Sequence, residues 1–110
     1  MKKSVDYPDY AKKVSNRVSK RKSDIGILVC GSGTGMAMSA NKIKGIRAAV
    51  CYNLRSTRLS RQHNDANILV LGSRLISEEE AIKCLLMFFN TNFEGDRHQA
   101  RLDKFNDVKI

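Results

Sequence analysis

The sequence predicts an α/β protein in which helices flank a parallel sheet. Three short apolar runs, DIGILVCG, GIRAAVCYN and ANILVLGSR, alternate with stretches of helical character. The runs are rich in Val, Ile and Leu and show no polar alternation, as in parallel strands that are covered on both faces. Alternating strands and helices are typical of α/β proteins, and 110 residues suffice for one core. We therefore expect a single domain over residues 1–110.

The helices have their own signals. Pro8 near a helix start, followed by Ala11, Val14 and Val18 at helical spacing, predicts a helix over residues 8–20. Residues 34–42 and 54–63 are expected to form the helices between the strands. The segment 77–90 predicts a helix that begins with a Ser77–Glu80 capping box. Cys84 and Met87 should help to pack it, and its buried stripe is predicted to contain Ala81, Ile82, Leu85, Leu86 and Phe89.

Composition and charge exclude several classes of protein. No stretch of about 18 apolar residues occurs, and the start MKKSVDYPDY lacks the apolar region of a signal peptide, so we expect a cytoplasmic protein without membrane contact. The net charge is +9, but residues 1–22 hold eight Lys or Arg against Asp6 and Asp9. This excess is interpreted as the solvated face of one amphipathic helix, and with few aromatic residues and no Trp, nucleic-acid binding is disfavoured.

The three cysteines, Cys30, Cys51 and Cys84, are an odd number and lie far apart without a CxxC pair. Neither a disulfide framework nor a zinc site is suggested, and no metal is expected. They are interpreted as free thiols, and the sequence leaves open which one is reactive.

The stretch VCGSGTGM, residues 29–36, places glycines between a predicted strand and a predicted helix. A dinucleotide fingerprint fails because position 36 is Met36 and no acidic residue ends the second strand; a Gly-Lys-Ser/Thr phosphate loop is also missing. What remains is a turn whose amides form a nest for negative charge, with Cys30 at its edge, where a helix N-terminus favours the thiolate. The alternative is a buried strand cysteine beside a turn that merely needs glycine.

Two further segments carry candidate polar groups. His63, in RQHNDAN, falls at a predicted helix end, which favours imidazolium and suits a general acid, although a capping histidine is the simpler interpretation. Arg97 and Arg101, in EGDRHQAR, lie four residues apart on a short helix expected to start near Asp96. Two guanidinium groups there suit a phosphate dianion, although a solvated basic helix is the commoner use of this spacing.

Taken together, VDYPDYA, GILVCGSGTGM, SANKIKGIRAAVC, SRQHNDANILVLGSR and FEGDRHQAR closely resemble the B-type ribose-5-phosphate isomerases, a family that includes the galactose-6-phosphate isomerase subunits. The resemblance implies a Rossmann-like parallel sheet, with three strands here because the family's first two are absent. It also implies interconversion of ribose 5-phosphate and ribulose 5-phosphate in the pentose phosphate pathway, through an enediolate and without metal or cofactor. In the family the site lies between two subunits, so a homodimer or homotetramer is expected.

The resemblance also implies roles for individual residues. Cys30 matches the base that moves the proton between C2 and C1, and His63 matches the histidine that opens the sugar ring, with Asn64 as a polar contact. Ser32 stands where many members have threonine and keeps the hydroxyl in the catalytic loop. The remaining matches are substrate contacts: Tyr7, the loop residues Gly31, Gly33, Thr34 and Gly35, and the phosphate-binding Arg97 and Arg101, with Arg74 as a further candidate.

The family's chain begins with another strand-helix-strand unit that carries an Asp-His pair, and nothing here corresponds to it. Such a unit needs ~30 or more residues, so we expect a chain that is truncated at its N-terminus relative to the family. An uncovered sheet edge, exposed apolar helix surface and a site one wall short would follow. Two alternatives therefore stay open: a hexose-6-phosphate isomerase of the galactose or allose type, and a catalytically impaired protein that binds sugar phosphates.

Overall fold

The computed structural model describes residues 7–22, 24–95 and 101–104. The elements follow in the order α1 (Tyr7–Ser19), β1 (Gly26–Cys30), α2 (Thr34–Ala40), β2 (Ala48–Cys51), α3 (Leu54–Gln62), β3 (Ile68–Gly72) and α4 (Glu78–Asn90). Residues 101–104 are also helical, whereas the expected helix start at Asp96 lies outside the described residues. The predicted strands and the helices over 8–20, 34–42, 54–63 and 77–90 are confirmed, with ends that shift by up to three residues.

The three strands form one parallel sheet in the order β1-β3-β2, which confirms the predicted fold class. Ile68 at the start of β3 is level with Gly26 of β1 and Ala48 of β2, and Gly72 at its end is level with Cys30. Every residue of β3 is buried. The prediction of strands covered on both faces is correct only for β3, because β1 and β2 are half-buried edge strands in the described sheet and Val29 is 56% exposed.

Helices cover both faces of the sheet and give it two cores. On one face, residues of α1 and α2 such as Ala11, Val18 and Met36 pack with Ile68 and Val70. On the other, Leu69 and Leu71 pack with Cys84 and Phe88 of α4. The alternation of side chains along β3 therefore supplies both cores from a single strand.

The predicted buried stripe of α4 is wrong for three of its five residues. Ile82, Leu86 and Phe89 are between 53% and 59% exposed, whereas Cys84 and Phe88 are buried. The apolar residues of α4 occupy more than one face of the helix, so apolar spacing alone cannot select the face that meets the sheet. Of the predicted Ser77–Glu80 capping box, the described residues show one bond, from the Glu80 amide to Ser77 Oγ, and no return bond from the Ser77 amide to the Glu80 side chain. No helix within the described ranges is long and apolar enough to span a membrane.

Helix α1 buries a polar side chain, that of Ser15, in the interior of the protein. Ser15 is fully buried, and its Oγ makes no hydrogen bond in the described part of the chain. A buried hydroxyl without a partner carries its desolvation cost uncompensated.

We expect Ser15→Ala to raise the free energy of unfolding by about 1 kcal/mol, because it removes this buried hydroxyl without leaving a large cavity. Urea unfolding followed by circular dichroism measures the change. Ser19→Ala is the matched control, since the Ser19 hydroxyl donates to the Lys44 carbonyl at 2.9 Å and its loss should lower stability. A decrease in stability for Ser15→Ala would contradict the prediction.

Candidate functional site

The glycine loop lies where β1 ends and α2 begins, at the carboxyl edge of the sheet. Gly33 has a φ of 84°, in the left-handed region that favours glycine. A Cβ at this position would lie 3.2 Å from Val70 Cγ1 and 3.3 Å from Val50 Cγ1, so the loop packs directly on the central and edge strands. This packing fixes the direction in which the amides after Cys30 point.

Within this loop, the sulfur of Cys30 accepts a hydrogen bond from the amide N–H of Gly33, with an N–Sγ distance of 2.9 Å. Cys30 is partly exposed, whereas Cys51 and Cys84 are 1% and 0% exposed. Burial raises the pKa of Cys51, although hydrogen bonds with the Ser60 and Thr57 hydroxyls act in the opposite direction. Of the three thiols that the sequence leaves equivalent, Cys30 therefore has the accessibility and the backbone donor that a thiolate needs.

The end of β3 supports the loop from the neighbouring strand. The amide of Ser73 donates to the Cys30 carbonyl at 2.7 Å, and that of Arg74 donates to the Gly31 carbonyl at 3.0 Å. The Arg74 guanidinium lies against Gly31, with its Nε 3.3 Å from where a Cβ would stand. The structure thus brings together a set that we call the carboxyl-edge group: Cys30, Gly31, Ser32, Gly33, Thr34, Gly35 and Arg74.

Gly72 is a positioning residue that the sequence reasoning missed. A Cβ on Gly72 would lie 2.6 Å from the carbonyl oxygen of Ser32 and 3.1 Å from that of Gly31, closer than the backbone allows. Glycine at the end of β3 is therefore required for the loop to cross the strand end. The signal was present as the glycine in LVLGSR, where an apolar strand residue would otherwise be expected.

His63 and Asn64 lie at the opposite edge of the sheet, where the strands begin, which we call the amino edge. His63 caps the end of α3, with its amide donating to the Leu59 carbonyl, and both residues precede β3, which begins at Ile68. Cys30 is level with Gly72 at the other end of that strand, and four steps at ~3.3 Å per residue separate the two ends by ~13 Å. The structure therefore does not bring His63 and Cys30 together within one chain.

The amino edge also holds an open, basic cavity of about 640 Å³. Asn64 and Leu102 both line it, so the helical segment with Arg101 borders the same cavity as the turn that contains His63. Lys42, Lys44 and Arg47 add positive charge to its lining. We call His63, Asn64 and Arg101 the amino-edge group; of the three, Asn64 lines the cavity, whose lysines and arginine suit an anionic ligand.

Two expected substrate contacts are not described. Arg97 lies outside the described residues. Tyr7 is the first residue of α1, and only its backbone is described. In the described part of the chain, no three His, Cys, Asp or Glu side chains are grouped so that they could hold a metal ion.

Comparisons with known proteins define the class. Residues 1–105 match the model of the ribose/galactose isomerase family. The ribose-5-phosphate isomerase B of Escherichia coli is 43% identical over 104 residues, which cover 94% of this chain and 70% of that protein. The chain belongs to the ribose/galactose isomerase family.

Solved structures agree with this assignment. The ribose-5-phosphate isomerase B of Clostridium thermocellum matches with a TM-score of 0.94 and 45% identity, over 96% of this chain and 71% of that one. That of Mycoplasma genitalium, solved with bound ribulose 5-phosphate, matches with a TM-score of 0.91 and 44% identity, over 96% and 70% of the two chains. This chain thus has the fold of B-type ribose-5-phosphate isomerases over nearly all of its own length.

We expect Gly72→Ala to lower the rate of any reaction at Cys30 by about 10–100-fold, because the new Cβ displaces the backbone of Ser32 and small displacements of reacting groups have effects of this size. The rate is measured as kcat with the sugar phosphate. Gly26→Ala is the control at the other end of the sheet. Its Cβ meets Val14 Cγ1 at 2.6 Å, a side-chain atom, so it should cost stability with little effect on kcat. Equal losses of kcat in the two variants would contradict the role of Gly72.

Alkylation should discriminate the three thiols. We expect iodoacetamide to modify Cys30 at least about tenfold faster than Cys51 or Cys84 in the folded protein, because buried thiols react only after the structure opens. Peptide mass spectrometry after timed labelling measures the three rates, and labelling in urea is the control for equal intrinsic reactivity. Comparable rates in the native protein would contradict the assignment.

Proposed function

We propose that this chain interconverts ribose 5-phosphate and ribulose 5-phosphate through an enediolate, with Cys30 as the base. The observation that carries the proposal is the 2.9 Å hydrogen bond from the Gly33 amide to Cys30 Sγ, in a glycine loop at the carboxyl edge of the sheet. Ligands of α/β proteins bind at that edge. The Mycoplasma genitalium relative with bound ribulose 5-phosphate supports a pentose phosphate as the substrate.

The proton transfer needs one base and a set of fixed donors. In the open-chain aldose, the Cys30 thiolate removes the C2 proton, the electron pair forms the C1–C2 double bond, and negative charge develops on the carbonyl oxygen. The thiol then returns the proton to C1, and the electron pair on O2 forms the ketose carbonyl as its hydroxyl proton passes to O1. The loop amides and the Ser32 hydroxyl are suited to stabilise the enediolate, because preorganised donors aimed at developing charge lower the barrier.

Ring opening and phosphate binding are assigned to the amino-edge group. We assign the acid-base step at the ring oxygen and anomeric hydroxyl to His63, with Asn64 as a polar contact. Arg97 and Arg101 are proposed to bind the phosphate, since guanidinium groups match its oxygens in charge and geometry. We propose that Arg74 and Tyr7 contact the substrate at the Cys30 side.

Since these two groups lie at opposite edges of one sheet, we propose a site shared between two chains. The Cys30 loop of one chain would face His63 and the arginines of the other, in a homodimer or a homotetramer built from such dimers. The exposed Ile82, Leu86 and Phe89 of α4 support association, because contiguous apolar surface on a protein is typical of contacts with other chains. The free thiols suit a reducing compartment such as the cytoplasm.

A hexose 6-phosphate is the second candidate substrate, since the matching family is described as ribose/galactose isomerases. Comparing kcat/KM for ribose 5-phosphate, allose 6-phosphate and galactose 6-phosphate discriminates between the two. Higher kcat/KM on a hexose phosphate would reassign the substrate and leave the enediolate chemistry in place. Phosphosugar binding without any turnover would instead support the non-catalytic alternative.

A complementation experiment tests the shared site. We expect Cys30→Ala alone to lower kcat by about 10²–10⁴-fold, the usual contribution of a general base. His63→Ala alone should also be impaired in turnover of the cyclic aldose. When the two variants are unfolded, mixed and refolded together, about a quarter of wild-type activity should return, because half of the dimers are mixed and each has one intact site.

The control for this experiment mixes two variants with lesions in the same half. Cys30→Ala with Gly72→Ala should show no gain over the average of the two variants measured separately, because no pairing of these chains supplies an intact carboxyl-edge group. Activity that fails to recover in the Cys30→Ala and His63→Ala mixture would overturn the shared site, and turnover that is unchanged in Cys30→Ala alone would overturn the base.

A further inference from the structure

The turn that carries His63 and Asn64 is held by a single carboxylate. Asp65 follows them directly, and one of its oxygens, Oδ2, lies 3.3 Å from Arg47 Nη2 while the other, Oδ1, lies 3.0 Å from Arg61 Nη1. Each carboxylate oxygen thus has its own arginine. The two arginines come from different segments of the chain, one just before β2 and one in the last turn of α3.

Both arginines also hold the backbone of this turn. Arg47 Nε donates to the Asp65 carbonyl at 2.7 Å, and Arg61 Nη1 donates to the Ala66 carbonyl at 2.6 Å. The two arginines therefore hold the main chain at Asp65 and Ala66 as well as the carboxylate.

Arg61 further connects the turn to α4, which packs directly against α3. Its Nε donates to the Thr91 carbonyl at 3.0 Å, and its guanidinium lies 5.6 Å from the ring centroid of Phe88, a buried residue of α4. The side chain of Arg61 is only 16% exposed, so solvent screens this ion pair less than a surface pair. Displacement of the turn would therefore break the contacts of Arg61 with α4 and its C-cap.

Asp65 has an unfavourable backbone conformation, which its contacts with Arg47 and Arg61 stabilise. Its φ is 46°, in the left-handed region that few residues other than glycine adopt, although Asp and Asn tolerate it better than most. Such a conformation persists where the surrounding structure determines it, and it is concentrated at functional sites.

We propose that Asp65, clamped by Arg47 and Arg61, is the positioning residue that orients His63 and Asn64 for ring opening. The inference rests on the proposed function, in which those two residues act on the cyclic sugar phosphate. Asp65 itself does not act on the substrate. Its carboxylate sets the backbone angle of the turn and so the direction in which the two preceding side chains face.

Asp65→Asn tests this role with little change of shape, because asparagine keeps the left-handed backbone and one acceptor oxygen but cannot pair with both arginines. Two activities are compared. Conversion of ribose 5-phosphate to ribulose 5-phosphate requires ring opening. Exchange of the C1 hydrogen of ribulose 5-phosphate with deuterium from solvent requires the base, the loop and phosphate binding but no ring opening, because this ketose has an open chain.

We expect Asp65→Asn to lower kcat for ribose 5-phosphate by about 10–100-fold, the range for misplaced catalytic groups, while deuterium exchange stays within about threefold of wild type. Arg47→Lys, which keeps the charge but loses the fork that binds both the carboxylate and the Asp65 carbonyl, should give the same split. Glu79→Gln is the matched control, because it removes a carboxylate from an exposed pair with Lys83 at 3.6 Å, and both activities should be retained.

Each other outcome overturns a defined statement. Retention of both activities in Asp65→Asn and Arg47→Lys overturns the positioning role, and a parallel loss of both activities replaces it with a purely structural role. If Asp65→Asn does not fold, Arg47→Lys decides alone. A wild-type protein that neither converts ribose 5-phosphate nor exchanges the C1 hydrogen would overturn the proposed function instead, so the two failures are distinguishable.

Discussion

The parallel pairing of β3 with both of its neighbours is the constraint on which the rest of the structure depends. It places every residue of β3 in the core and assigns alternate side chains to the two helical layers. The same pairing aligns Cys30 with Gly72 at one edge of the sheet and leaves the turn with His63 at the other. Strand direction alone therefore separates the two sets of candidate residues, and no side-chain rearrangement within one chain could join them.

Much of the fold follows from local patterns, because three apolar runs separated by helical segments permit few arrangements other than a parallel sheet. Local patterns predict less well which face of each helix or strand is buried. The exposure of Ile82, Leu86 and Phe89 depends on how α4 sits against α3 and the sheet, and the spacing of these residues is compatible with more than one orientation. Likewise, Val29 belongs to a strand whose composition suggests full burial, yet its edge position is a property of the whole topology.

The candidate site divides in the same way. The glycine loop is predictable because its function requires short-range geometry: a strand end, a left-handed glycine and a helix start in seven residues. Gly72 and Asp65 are not predictable from neighbouring residues. The importance of Gly72 appears only when the carbonyl of Ser32, 40 positions earlier in the chain, is found against it, and that of Asp65 appears when Arg47 meets it across the sheet edge. The resemblance to B-type isomerases supplied roles, but not which residues share an edge.

The proposed site, divided between two chains, would make association a part of catalysis. Each chain alone would present the base and the anion nest at one edge of its sheet and the ring-opening group at the other, too far away to act on the same sugar. Binding energy between the chains then stabilises the active arrangement by mass action, so specific activity should fall on dilution below the dissociation constant of the dimer. The rigidity of both edges matters for the same reason. In such a site, each chain must hold its own catalytic groups in place. The packing of Gly33 on Val70 would hold the Cys30 loop, and the pairing of Asp65 with two arginines would hold the turn with His63.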